Sequence, residues 1–221
     1  MSVENVTVGP YLGTARNPYS YEKVEQIARD IQTEWLSLAD VTNQLNLFDD
    51  ESQDSYLQML ELATRMAIED YLGISIFPID YRVYYGSITN MGTQACLDLP
   101  EVSQNTGTQA GVTINSVGYW NGDTPPLFVK LASSNYFYDA TGNKVIVNGI
   151  PSEINTVMTN PVVIEYSTMA SPLAQYPVIK QAGLLLLTHL YNNRSNTGAS
   201  KLSDIPFGVD TLLRPYKSLV M

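Results

Sequence analysis

The chain contains one histidine, His189, and an imidazole is the side chain best suited to act as a base or a metal ligand near neutral pH. Its run, Leu-Leu-Thr-His-Leu-Tyr, puts it at helical spacing from Val178, Ala182 and Leu185. These apolar neighbours favour a structural histidine over a catalytic one. With this histidine and the single cysteine, Cys96, the chain cannot supply a zinc site of the usual nitrogen and sulfur ligands.

Acidic residues occur in two arrangements that could bind a metal or catalyse hydrolysis. The acidic run 49–54 lacks the alternating ligands, the central glycine and the distal glutamate of a calcium loop, and is interpreted as the solvated start of a helix. A glycosidase needs two opposed acids. The sequence gives no pairing for the acids of the central region, which are Asp80, Asp98, Glu101 and Asp139.

Motifs for phosphate binding and for nucleophilic catalysis are missing as well. The glycines of Gly107-Thr-Gln-Ala-Gly111 are not followed by the Lys-Ser helix of a phosphate-binding loop, and no Gly-x-Ser-x-Gly nucleophile elbow occurs. The sequence therefore predicts a protein that is not an enzyme and that uses no cofactor and no metal.

The overall composition limits the partners of the chain. Its 221 residues, 44% of them hydrophobic, suffice for one large domain or two small ones. Because 22 acidic residues face 12 basic ones, the net charge is -10, which excludes a broad basic surface for nucleic acid. A lone cysteine forms no internal disulfide, and no leader or membrane-spanning run is visible, so we expect assembly in the cytosol.

Helical periodicity predicts a small bundle with helices near 37–47, 54–72 and 177–193. Ser37 opens the first with a capping box, Gly73 ends the second, and Pro177 begins the third. In the second helix, the predicted apolar stripe is Leu57, Leu60, Ala63, Ala67 and Tyr71. The predicted solvent side is Glu61, Arg65 and Glu69.

The region before this bundle is predicted to contain an extended arm and one more helix. Residues 1–20 have no apolar periodicity and are interpreted as an arm that becomes ordered against a partner. Over 21–35, Val24, Ile27 and Ile31 lie at helical spacing, which predicts a helix.

From about residue 76 to 170, β-branched and aromatic residues alternate with turn residues, which predicts an inserted antiparallel β module. Turns are expected at Asn121-Gly122, at 140–143 and at Asn148-Gly149. The predicted strands are Phe77–Tyr85, Gln94–Leu99, Val112–Trp120, Leu127–Leu131, Tyr136–Tyr138, Lys144–Val147 and Val162–Tyr166.

The expected fold class is thus α+β, with three parts along the chain. Residues 1–35 form the N-terminal arm and helix, and 76–173 form the β-rich insertion. The helical core combines 36–75 with 174–221, which includes a C-terminal docking tail.

Three stretches in this order resemble the head-tail connector (adaptor) family of tailed bacteriophages. The first looks like the family's short capped opening helix, the second like the end of its second helix, and the third is the most specific. They are Ser37–Leu45, Ala67–Ile74, and a C-terminal stretch made of Pro177–Ala182, Leu190–Arg194, Ile205–Val209 and Leu212–Lys217. The resemblance covers residues 36–75 and 174–217.

The resemblance implies a virion structural protein that forms a homo-oligomeric ring, usually a dodecamer, under the portal protein. Such a ring extends the DNA channel, lets DNA pass without specific binding, and carries a tail or stopper protein of the neck. It is assembled in the host cytoplasm and contacts no membrane. The residues implied in portal or subunit docking are Arg194, Leu212, Leu213, Arg214, Pro215 and Tyr216. An ordinary tail folded on its own helix is the alternative interpretation of these six residues.

The 15 tyrosines leave a second function open. Tyrosine suits protein interfaces, and Tyr11, Tyr19 and Tyr21 are consistent with a docking arm. Tyrosine-rich strands and Trp120 near a turn also suit a β-sandwich that binds carbohydrate or a host surface.

Overall fold

A computed structural model describes residues 18–19, 21–47, 51–86, 94–100, 111–149, 151–194 and 207–217. The chain divides into two compact units. The sheet unit combines the chain up to Arg29 with Ile79–Met169, and the helical unit combines Asp30–Pro78 with the chain from Ala170 onward.

The sheet unit contains two sheets. A five-stranded sheet has the order β2-β3-β9-β5-β6, and a four-stranded sheet has the order β1-β4-β8-β7; all ladders are antiparallel except the pairing of β1 with β4. The strands are β1 Pro18–Tyr19, β2 Tyr21–Arg29, β3 Ile79–Tyr85, β4 Gln94–Asp98, β5 Val112–Trp120, β6 Phe128–Lys130, β7 Tyr136–Asp139, β8 Lys144–Asn148 and β9 Val162–Thr168.

One hydrophobic core joins the two sheets of this unit. Side chains such as Val83 and Ile164 of the larger sheet share it with Leu97 and Val145 of the smaller one. Across this core, the hydroxyl of Tyr85 donates a hydrogen bond of 2.6 Å to the carbonyl of Asp98. The unit is therefore a β-sandwich with one buried layer.

The helical unit contains α1 Leu38–Leu45, α2 Asp54–Leu72, α3 Pro177–Asn192 and α4 Phe207–Leu213. Short 3-10 turns cover Glu51–Gln53, Pro172–Gln175 and Arg214–Tyr216. The Ser37 side chain caps α1, and Gly73 ends α2 in the left-handed conformation with φ 65°. The core includes Trp35, Leu57, Ile68, Ile179 and Leu187.

The predicted α+β class is confirmed, and so are the three helices of the bundle and the seven strands of the β module. The turn at 140–143 joins β7 to β8, with Asn143 at φ 52°, and Gly149 has φ 70°. Both values lie in the left-handed region, which Asn and Gly tolerate. None of the described helices is long and apolar enough to cross a membrane. The arm predicted over 1–20 falls mostly outside the described residues.

The helix predicted over 21–35 is wrong. Residues 21–29 form the edge strand β2 instead, paired with β3, and its register shifts once between Tyr21 and Lys23 and again between Gln26 and Ala28. Each shift inserts an extra residue and breaks the two-residue alternation of a strand. The first shift places Tyr21 and Val24, three residues apart, opposite Tyr85 and Val83. Ile27 follows three residues later, and this spacing imitates a helix in the sequence.

The faces predicted for α2 are only partly right: Leu57 is buried and Leu60 and Tyr71 pack against the core as predicted, but the other assignments are wrong. Glu61, Arg65 and Glu69 are buried, whereas Ala63 and Ala67 are exposed. The buried face alternates apolar and charged side chains, namely Leu57, Glu61, Thr64, Arg65, Ile68, Glu69 and Leu72. The three charged residues at i, i+4 and i+8 do lie on one side of the helix, but it is the inner side.

The buried charges bind backbone groups of neighbouring segments. The Glu61 carboxylate accepts hydrogen bonds from the amides of Trp35 at 3.0 Å and Leu36 at 3.3 Å. Burial raises the pKa of Glu61, and the two amides partly offset this. Glu69 accepts from the amide of Ile76 at 2.7 Å.

Arg65 completes this stripe by donating to two carbonyls. Its guanidinium binds the carbonyl oxygens of Thr33, at 2.7 Å, and Asp30, and it lies 4.8 Å from the centre of the Phe77 ring. The segments 30–36 and 74–77 are thereby fixed to one helix by side chains that satisfy buried backbone groups.

Candidate functional site

The C-terminal segment is held by helix α4. Its residues Val209 and Leu213 enter the core of the helical unit, where each is 1% exposed. Asp210 accepts a hydrogen bond of 2.5 Å from the hydroxyl of Tyr71 on α2, and this bond raises the pKa of that tyrosine. One turn later the chain forms the 3-10 turn Arg214–Tyr216. The segment is thus anchored from inside while its last turn faces outward.

The predicted docking residues of this segment differ in exposure. Leu213 points into the core and Leu212 packs partly against it, whereas the Arg214 side chain is 80% exposed and Pro215 is exposed. The ring of Tyr216 meets the exposed ring of Tyr176 edge-on, with 6.0 Å between the centroids. The surface available to a partner is therefore made by Arg214, Pro215 and the Tyr216–Tyr176 pair.

Arg194 belongs to a different cluster, at the end of α3. Its guanidinium lies 4.7 Å from the ring centres of both Tyr56 and Tyr191. It also donates a 2.7 Å hydrogen bond to the side-chain oxygen of Gln53, which accepts a second one from the Tyr191 hydroxyl. An exposed guanidinium between two rings is a preformed surface for a partner carboxylate or carbonyl.

A groove on the five-stranded sheet was not predicted from the sequence. It has a volume of about 380 Å³, within the usual size range of ligand sites. Strands β3, β9, β5 and β6 supply its lining residues, which are Arg82, Tyr84, Trp120, Phe128, Lys130, Val163 and Glu165.

The geometry of this groove combines an ion pair with two aromatic rings. Arg82 donates two hydrogen bonds, of 2.9 and 2.7 Å, to one carboxylate oxygen of Glu165, and this contact lowers the pKa of Glu165. The rings of Trp120 and Phe128 meet at 5.4 Å between centroids. Gly118 lies beneath Phe128, since a Cβ there would come within 2.5 Å of the ring.

Three of the four acids considered for hydrolysis have a local partner. Asp80 accepts a hydrogen bond from the Ser167 hydroxyl at 2.5 Å, Asp98 is paired with Lys144, and Asp139 accepts from the amide and hydroxyl of Thr141. Glu101 lies outside the described residues. The described part of the chain contains no group of three or more His, Cys, Asp or Glu placed to hold a metal ion.

His189 is partly buried on α3, and its ring nitrogen Nδ1 lies 3.3 Å from the Asn193 side chain. The backbone of Asn193 donates to the carbonyl of His189 in the same turn. His189 thus accepts the hydrogen bond that closes the last turn of α3.

Comparison with known proteins gives no match in sequence. No family model matches the chain, and no curated protein matches it.

Solved structures do match the fold, over 90% of this chain and 97% of the other. One is the neck of an empty gene transfer agent (GTA) particle computed with C6 symmetry, with a TM-score of 0.60 and 18% identity. A second is from the virion of a native GTA particle, with the same values. A third is the neck of a native GTA particle computed with C12 symmetry, with a TM-score of 0.54 and 18% identity. The expected resemblance is therefore confirmed at the level of the fold, as a likeness to solved GTA neck structures.

Proposed function

We propose that the chain is a structural subunit of a head-tail neck, in which identical copies form a ring. The observation that carries the proposal is the fold match to GTA neck structures, which spans nearly all of both chains. Those assemblies were computed with C6 and C12 symmetry, which suits a subunit that repeats around an axis. The proposed role is non-enzymatic and the proposed location is the neck of the virion.

More specifically, we propose that this protein forms a ring under the portal protein, with the twelve copies usual for rings of this kind. Its lumen continues the DNA channel, and its far side carries a tail or stopper protein. The net charge of -10 supports a lumen that does not hold DNA, because like charge prevents the contacts through which phosphates are bound. Subunits would be made and assembled in the host cytoplasm.

The helical core and its C-terminal segment are the proposed docking part of the subunit. Arg194, Arg214 and Pro215 are exposed, and Leu212 and Tyr216 are partly exposed, so these five can contact a portal or a neighbouring subunit. Leu213 would act indirectly, by fixing helix α4 in the core. The β-rich insertion stays outside this proposed docking role.

The experiment is cryo-electron microscopy of neck complexes, or of this protein mixed with its cognate portal. We expect a ring coaxial with the portal, with Arg194 and residues 212–216 at a joint. A charge reversal, Arg214→Glu, should weaken the complex, whereas Lys130→Glu on the sheet unit should not. A protein that never joins the portal would refute the proposed function. A ring with its joints elsewhere would refute only the assignment of these residues.

A second candidate function, binding of carbohydrate by the sheet unit, is favoured by the groove. Exposed aromatic rings stack on sugar rings, and the paired Arg82 and Glu165 offer donors and acceptors for hydroxyl groups. A panel of oligosaccharides should then raise the melting temperature of the protein. Phe128→Ala should abolish that shift, and the matched control is Phe137→Ala, because both rings are about equally exposed. No shift with any sugar would remove this candidate.

A further inference from the structure

The outward face of helix α2 is apolar over more than two turns. Met59 is 65% exposed and Met66 is 37% exposed, and Ala63 and Ala67 are exposed between and beside them. Leu62 adds partly buried apolar surface on the same side. These five residues, at spacings of three and four, define what we call the outer stripe of α2.

In α2, the distribution of apolar and charged residues is the reverse of that in an ordinary surface helix of a monomer. Such a helix normally turns charged residues to water and apolar ones to the core. In α2 the charged residues Glu61, Arg65 and Glu69 lie on the inner side, where they form hydrogen bonds with the backbone of other segments. Between Asp54 and Asp70, the exposed residues carry no charge and only Ser55 and Gln58 are polar.

We infer that the outer stripe docks on a neighbouring copy of this chain. The inference rests on the proposed ring, and it names a face through which adjacent copies meet. Two copies that each carry a net charge of -10 repel one another, so contact is least costly where charge is absent. The outer stripe is such a place, and it also releases apolar surface from water when it is covered.

The side chains of the stripe suit a helix of a second copy in particular. Ala63 and Ala67, one turn apart, let another backbone approach closely, since interhelical distance depends on the side chains at the contact. Met59 and Met66 lie beside them, and the flexible thioether adapts to a partner surface. A partner of opposite charge would gain nothing from a stripe without acids.

The test is sedimentation equilibrium of the full chain over a range of concentrations, for three proteins. We expect the wild-type protein to self-associate and Ala63→Glu to weaken that association at least about tenfold, because a carboxylate would be buried without a partner. The matched control is Ala132→Glu, the same substitution at an exposed alanine of the sheet unit, which should associate like the wild type. Intrinsic tryptophan fluorescence, to which the buried Trp35 contributes, should show that all three are folded.

A second measurement identifies the contact directly. In Ala63→Cys, a thiol-specific cross-linker should join two copies through residue 63, because the native Cys96 is buried. Isotope-labelled and unlabelled protein, mixed before cross-linking, distinguishes links between copies from links within one copy. Only internal links, or a wild-type protein that stays monomeric at every concentration, would overturn the inference. Rings in neck complexes built from Ala63→Glu protein would also overturn it, while leaving the proposed function intact.

Discussion

Replacing Arg65 with methionine should destabilise the helical unit by about 3–5 kcal/mol. Arg65 is 1% exposed, and its guanidinium donates to the carbonyls of Thr33 and Asp30. Hydrogen bonds from charged groups are each worth roughly 1.5–3 kcal/mol. The substitution keeps the volume of the stem but also leaves Glu61 without its neighbouring positive charge. A loss of this size is a large part of the stability of an ordinary domain.

The two tryptophans allow this loss to be assigned to one unit. Trp35 is buried in the helical unit, where its indole donates to the carbonyl of Ala174 at 2.8 Å, and Trp120 belongs to the sheet unit. In a Trp120→Phe background, fluorescence during urea denaturation therefore reports the helical unit alone. Arg65→Met should lower the midpoint of this transition strongly.

The control uses the same substitution at an exposed site. Arg214 is 80% exposed and lies 3.9 Å from Asp210, a pair that contributes at most about 1 kcal/mol, so Arg214→Met should hardly move the midpoint. Equal small effects of both substitutions would refute the reasoning, because the buried stripe of α2 would then contribute no more than a surface ion pair.

Two further predictions concern packing and pH. Gly183→Ala should lower the free energy of unfolding by about 1–3 kcal/mol, because the new Cβ would lie 2.8 Å from the ring of Trp35. Gly208 has open space around it, so Gly208→Ala should leave the free energy of unfolding unchanged or raise it by up to about 1 kcal/mol. Urea denaturation measures both changes. Asp30 has its pKa lowered from 3.8 to about 2 by hydrogen bonds within its own turn. Its carboxylate therefore adds stability above pH 3.8, and this stability is lost as the pH falls towards 2. The denaturation midpoints of the wild type and of Asp30→Asn should converge over this pH interval. A difference between the two midpoints that stays constant with pH would contradict the prediction.

Local sequence patterns predicted most of the elements of the fold. Strand β9 and helix α3 follow from alternation and from helical spacing, and the caps at Ser37 and Gly73 follow from backbone chemistry that involves only a few neighbouring residues. The helix predicted over 21–35 failed because bulges in β2 depend on its pairing with β3, more than fifty residues away.

The faces of α2 and the groove could not be predicted for a related reason. Whether Glu61 faces water or the core depends on the amides of Trp35 and Leu36, and no rule based on helical spacing includes them. The groove needs the register that sets Arg82 opposite Glu165, 83 residues later. The aromatic residues Trp120 and Phe128, on either side of a turn, were its only signal in the sequence.

The buried stripe of α2 has a consequence for how this protein can change over evolution. The chain leaves or enters the helical unit near residues 30, 78 and 170. Segment 30–36, just after the first crossing, and segment 74–77, just before the second, are bound to α2. Ser171, just after the third crossing, donates its amide to the carbonyl of Ser75 at 2.7 Å. The helical unit thus secures the ends of its own chain with its own side chains. Mutation, insertion or replacement within residues 79–169 of the sheet unit, between the second and third crossings, can proceed without altering the residues that keep the helices folded.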